Sequence, residues 1–237
     1  WGTLGVIVEA HLRLAPRPEA DATLAFAAQD ARPLLALAQR LDAAPLRPVA
    51  CECASPTAAA ALDRADGGPS MSVMWARWRG GCAAVAAGLE AARAAARDLG
   101  VRVAGGPEPG PAPGARGGTQ RGRMSTADTS SCASGIWGAI RELDARTGAE
   151  LVVRVEARPV GLAGVVGAAA ELGSALAWLA SPALGRAWVF VPGPLDPDTW
   201  ARRLAVWRRD LEARGGRLVV ERAPEVLLAL SPRSPGI

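Results

Sequence analysis

The chain has 237 residues, 27 of them basic and 23 acidic, for a net charge of +4. Half of the residues are apolar and 21% charged, which excludes a wholly disordered protein and is enough for one large core or two small ones. All 27 basic residues are arginine and Tyr is absent, so the pI near 9.4 reflects missing lysine and tyrosine titrations, and +4 over this length is a weak attraction for nucleic acid.

Residues 4–14 (LGVIVEAHLRL) read as a strand that ends at Ala15-Pro16. The tract Pro16-Arg17-Pro18-Glu19 then marks a boundary, because its prolines suit neither a helix interior nor a central strand. A strand over 21–28 follows, then a helix over 30–43 with Leu34, Leu37 and Leu41 on one face, and a strand over 46–54. Ser55-Pro56-Thr57 and the ADGGPS run at 65–70 read as loops. A strand at 71–79, a long Ala-rich helix at 82–98 and a short strand at 101–104 complete a βαββαβ order. That order closes into a four-stranded antiparallel sheet with two helices on one face.

Residues 105–124 are dense in Gly and Pro and poor in apolar residues, which predicts a mobile loop; Arg116, Arg121 and Arg123 within it read as linker charge, with no aromatic residue to stack a base. A helix over 131–144 follows. Strand 150–157, helix 160–173, strand 175–180, strand 186–192, helix 198–213 and strand 217–222 then repeat the βαββαβ order. The stretch 159–180 is rich in Ala and Gly and carries Glu171, and so reads as helix packed on sheet rather than as a membrane span. The fold class expected is α+β: two ferredoxin-like βαββαβ units forming one broad antiparallel sheet covered by helices.

The chemistry-bearing residues are few. Cys51, Cys53, Cys82 and Cys132 are too scattered for a disulfide scaffold and, with His11 the one histidine, too poorly accompanied for a structural metal; they read as small buried hydrophobes of a reducing compartment. His11 itself reads as an ordinary strand residue. Asp196, Asp198 and Glu221 read as helix-cap and surface carboxylates. Trp75, Arg77 and Arg79 share one face of strand 71–79 while Trp78 takes the other. Arg77 and Arg79 are thus candidates for clamping a substrate carboxylate, or else ornament a solvated sheet edge. No P-loop, paired catalytic carboxylates or Ser–His–Asp set is present in the sequence.

Gly2-Thr3-Leu4-Gly5-Val6-Ile7 is the most informative stretch, since glycines at 2 and 5 let backbone approach a flat ligand or a phosphate. The longer string GTLGVIVEAHLRLAPRPEA resembles the segment that closes the FAD-binding domain of the FAD-linked oxidases, the family of vanillyl-alcohol oxidase and p-cresol methylhydroxylase. GGRLVVERAPEVLLAL (215–230) is similar to the closing part of the FAD-binding E subunits of bacterial glycolate oxidases.

The resemblance implies residues 1–19 as the edge of an FAD-binding domain, 20–230 as its cap or substrate domain and 231–237 as a tail. It implies FAD as cofactor, with Gly2, Thr3, Gly5, Val6 and Ile7 touching it through their backbone. The activity implied is oxidation of a 2-hydroxy acid. The implied partners are other subunits, one of them an iron–sulfur protein, and the implied location is the cytoplasm or the inner face of the inner membrane through those subunits. The family's glycine-rich pyrophosphate-binding half would lie before Trp1, so the chain is expected to be the rear part of a longer flavoprotein and to bind FAD poorly alone. The alternative is a tandem ferredoxin-like module that senses a small ligand or serves assembly, in which GTLGVI is only a turn.

Overall fold

The computed structural model describes residue 9, residues 17–62, 71–106, 135–171, residue 173 and residues 176–230. Outside that range lie the expected strand 4–14 apart from residue 9, Gly2, Thr3, Gly5, Val6, Ile7, His11, residues 107–124 of the loop expected over 105–124 with its three arginines, the ADGGPS run and Cys132; Gly105, expected in that loop, ends a strand.

The first unit runs β1 (Ala20–Ala28), α1 (Ala31–Asp42), β2 (Ala50–Ala54), α2 (Pro56–Ala61), β3 (Ser72–Gly80), α3 (Cys82–Asp98) and β4 (Arg102–Gly105). Helical residues 135–141 (α4) and α5 (Leu143–Thr147) lead into the second unit. There β5 (Ala149–Glu156), α6 (Leu162–Glu171), β6 (Ala177–Ser181), β7 (Arg186–Pro192), α7 (Pro197–Glu212) and β8 (Arg217–Arg222) follow, and α8 (Glu225–Leu230) ends the described chain. One antiparallel eight-stranded sheet results, in the order β4-β1-β3-β2-β6-β7-β5-β8. Each half has the same internal order, with its first and third strands central, and the halves meet edge to edge at β2 and β6.

Strand alternation divides the apolar residues between the two faces. On the first face Leu24, Phe26, Met74, Trp78, Val153, Val155, Trp178 and Val189 pack under α1, α3, α6 and α7. Leu34, Leu37 and Leu41 point down from α1, and Trp200, Leu204, Trp207 and Leu211 from α7, at the helical spacing read in the sequence. Each such side chain, fully buried, contributes about 2 kcal/mol of transfer free energy. Helix α3 comes so close to Trp78 that a Cβ on Gly88 would lie 2.7 Å from its ring. The second face is covered in part, by α2, α4 and α5 over Trp75, Leu179 and Phe190.

Three expectations change. Residues 55–57 form a helix start rather than a loop: Ser55 caps α2 by accepting the Ala58 N–H at 3.1 Å, and Pro56 sits at the first helical position, where its missing N–H costs nothing. The strand expected over 46–54 forms β2 over Ala50–Ala54, with the Val49 N–H donating to the Arg77 carbonyl just before it, because Pro45 and Pro48 hold the earlier residues out of the ladder. Helix α8 was not anticipated. The cysteines divide as well, since Cys51 and Cys53 are buried whereas Cys82 is exposed at the start of α3.

The seam between the units is narrow. Its ladder pairs Cys53 with Ala180 and Ala54 with Leu179. Ser55 extends it: its backbone N–H donates to the Trp178 carbonyl at 3.0 Å, and its hydroxyl oxygen accepts the Trp178 N–H at 3.0 Å. That oxygen therefore serves two backbone donors in a site where Ser55 is 3% exposed. Replacing Ser55 by Ala strands both N–H groups in a dry interior and is expected to cost about 2–4 kcal/mol, read as a lower urea midpoint with unchanged slope. Gly185→Ala is expected to be harsher still, because the backbone there has φ +63° and an added Cβ would fall 2.0 Å from the Ala157 carbonyl oxygen. Thermal unfolding of the two variants side by side checks both.

Candidate functional site

Polar side chains run along the second face, some of them covered, with Trp75 2% and Ser181 4% exposed, and others, such as Arg79 and Arg186, open to solvent. Asp21 and Thr23 on β1, Trp75, Arg77 and Arg79 on β3, Glu52 on β2, Ser181 on β6, Arg186 and Trp188 on β7, and Arg154 and Glu156 on β5 all share that face by strand alternation.

Arg77 and Arg79 both face this surface, as expected, with Trp78 on the opposite side. Their charge is already matched. Arg77 donates from Nε and Nη2 to the two Asp21 oxygens at 2.7 and 2.5 Å, a bidentate pair, and Arg79 Nε lies 3.1 Å from the same carboxylate. The hydrogen bond to Asp21 holds the Arg77 pKa above its ordinary value. The Arg77 guanidinium also sits 5.9 Å from the centre of the Trp137 ring, and that indole N–H donates to Thr23 Oγ1 at 3.0 Å. Asp21 and Trp137, which nothing in the residue pattern joins to Arg77, are thus brought to it from β1 and α4.

A second ionic group lies toward β8. Arg154 bonds Glu156, and its Nε donates to Glu221 at 2.5 Å, while Arg186 Nε is 3.4 Å from Glu156. Asp196, read as a cap, accepts the Thr199 N–H at 3.1 Å, and that hydrogen bond lowers its pKa.

Between the two ionic groups stands Glu52, which the sequence reading passed over. Ser181 Oγ donates to its carboxyl across the seam, at 2.7 Å from either oxygen. Burial pushes this carboxyl from 4.5 up to about 7 against the opposing pull of the Ser181 hydrogen bond. The neighbouring Cys51 and Cys53 thiols, on the other face, are pushed well above their ordinary range by the same burial and are inert as nucleophiles at neutral pH. Among the described residues no three His, Cys, Asp or Glu side chains gather as a metal would need, and no helix is long and apolar enough to cross a membrane.

The arrangement can present hydrogen-bond donors and a carboxyl that changes protonation near neutrality to a ligand lying on the sheet. It also makes stability depend on pH. The folded chain keeps a proton on Glu52 that the unfolded chain has released between pH 4.5 and about 7, so the contribution is full below 4.5 and is lost as pH rises through 7. Chemical denaturation from about pH 5 to about pH 8 is expected to show a loss of up to about 3 kcal/mol from this group, absent in Glu52→Gln.

No family model matches the chain, and no curated protein matches it by sequence. Solved structures do share its fold. A crystal structure of alkyldihydroxyacetonephosphate synthase in P1 superimposes with a TM-score of 0.52 at 8% identity, over 85% of this chain and 40% of that one. A second, in P212121, gives 0.49 at 9% identity, over 85% and 41%. This chain therefore spans about two fifths of the length of the enzyme it resembles, and the likeness in P1 is one of fold: an antiparallel eight-stranded sheet covered by helices.

Proposed function

We propose that the chain is a component of an FAD-dependent oxidoreductase that oxidises a 2-hydroxy acid, comparable to the FAD-binding subunit of a glycolate oxidase complex with an iron–sulfur partner. The observation that carries this reading is the coincidence of two independent signals. The sheet built from two ferredoxin-like units is shared with alkyldihydroxyacetonephosphate synthase, an FAD-binding oxidase-family enzyme. At the front of the same chain stands GTLGVI, followed by a proline-rich exit, as in the FAD-linked oxidases.

In this reading Gly2, Thr3, Gly5, Val6 and Ile7 lie against the flavin through their backbone. The flavin when bound supplies the two-electron chemistry. The described residues supply a rigid sheet, with α1, α3, α6 and α7 packed on its first face and a donor-bearing second face for the substrate. Arg77 and Arg79 are then neighbours of the substrate whose charge Asp21 holds in place, rather than a free carboxylate clamp.

Two preparations test the proposal: the chain alone, and the product of its reading frame extended upstream of Trp1, each titrated with FAD. The extended product is expected to hold flavin, with its visible absorption bleached by glycolate or a close homologue under anaerobic conditions, and the chain alone to bind it weakly. An extended product that takes up no flavin overturns the reading in favour of a ligand-sensing or assembly module.

A further inference from the structure

Four side chains on four neighbouring strands form a row across the middle of the second face. Trp75 on β3 is the register partner of Glu52 on β2, Glu52 meets Ser181 on β6 across the seam, and Ser181 is the register partner of Arg186 on β7. At the usual strand spacing of about 4.8 Å the row is about 14 Å long.

Its members are unevenly satisfied. The Trp75 indole N–H is buried with no hydrogen-bond partner among the described residues, a donor left unmet in a dry interior. The Arg186 side chain is 46% exposed, with only a 3.4 Å approach to Glu156. Glu52 stands between these donors with the Ser181 hydroxyl for company and, among the described residues, no cation bonded to it. Arg77, two register pairs along β3, is held by both oxygens of Asp21, and Arg79 lies against the same carboxylate. On β7 Arg186 inclines to Glu156. Helix α2 (PTAAAA) brings no charge to this face, and Cys51 and Cys53 belong to the other.

A carboxyl so placed is a donor in its neutral form. We propose that the Trp75–Glu52–Ser181–Arg186 row is a binding site for a small monocarboxylate, whose oxygens accept hydrogen bonds from the carboxyl of Glu52 and the guanidinium of Arg186. Ser181 Oγ, 2.7 Å from both Glu52 oxygens, donates to whichever carries no proton. Two carboxyl groups in contact share one proton, because like charges a few ångström apart do not both ionise. The ligand anion is therefore held while Glu52 carries the proton, and binding above neutrality draws a proton from solution.

The inference deepens the oxidoreductase reading, from which it takes a 2-hydroxy acid as the probe, and its test contains no flavin, so the two fail separately. Glycolate is titrated calorimetrically into the full 237-residue chain across pH, in two buffers of different ionisation enthalpy. Affinity is expected to fall about tenfold per pH unit above about pH 7, with proton uptake approaching one per ligand. Glu52→Gln, of the same shape and folded by circular dichroism, should bind with neither slope nor uptake. Arg186→Ala should weaken binding about tenfold with the slope kept. The proposal is overturned by the absence of saturable binding at any pH, by a pH slope that persists in Glu52→Gln, or by binding indifferent to Arg186→Ala.

Discussion

The whole arrangement hangs on the Ser55 hydroxyl. Two ferredoxin-like units each end in an edge strand with unpaired backbone groups, a liability that proteins normally blunt or cover. Here the two edges cover each other, but the ladder joining them has only two residue pairs, Cys53 with Ala180 and Ala54 with Leu179. Ser55 carries the pairing past the end of β2, and the same oxygen begins α2. One side chain thus extends the pairing of the two halves, beside the ladder, the Glu52–Ser181 and Gln39–Pro159 hydrogen bonds and the shared core, and starts the helix that roofs part of the second face. A slip of one residue at this seam would turn every side chain of the second half to the wrong face.

That register creates the candidate site. Glu52 and Ser181 belong to different units, 129 positions apart, and meet only because β2 and β6 pair as they do. Neither unit alone would assemble the row from Trp75 to Arg186. The cost of holding a carboxyl in that place, reflected in its rise to about 7, is borne by the cores of both units, Leu24, Phe26 and Met74 on one side and Val153, Val155 and Val189 on the other. This is the usual division between a scaffold that supplies stability and a site that spends some of it.

The elements with a strong local signal were legible in the sequence. Strand 186–192, strand 217–222 and helix 82–98 stand where their residue patterns place them, as do the opposite directions of Trp75 and Trp78, because alternation and helical spacing are written in neighbouring residues. Helix α2 was legible too, but misread: Ser followed by Pro is as good a helix start as a turn, and the four alanines after Thr57 decide for the helix. The pairing of β2 with β6 was expected only as two units side by side; which edges meet is a long-range choice that no local pattern encodes. The site suffered most from this. Arg77 and Arg79 announce themselves as charges on a strand, whereas their partner Asp21 and the lone acid of the ACECA strand acquire meaning only through the strands beside them.

The distribution of charge on the second face explains why Glu52 in particular has no cation bonded to it among the described residues. Asp21 draws Arg77 and Arg79 toward the β1 side, and Glu156 and Glu221 draw Arg154 and Arg186 toward the β8 side. An arginine finds more in a carboxylate it can approach through partly open solvent than in one that must be desolvated on both sides, since the transfer of each ion into a dry site costs several kcal/mol. The guanidinium groups therefore settle outward, and the central carboxyl keeps only a hydroxyl, which satisfies one oxygen without supplying charge. The physical result is a central carboxyl, pushed up to about 7 by burial, between arginines that are paired with other carboxylates. An anion bound beside this carboxyl would meet a group able to share its proton and, two strands away, the 46% exposed side chain of Arg186.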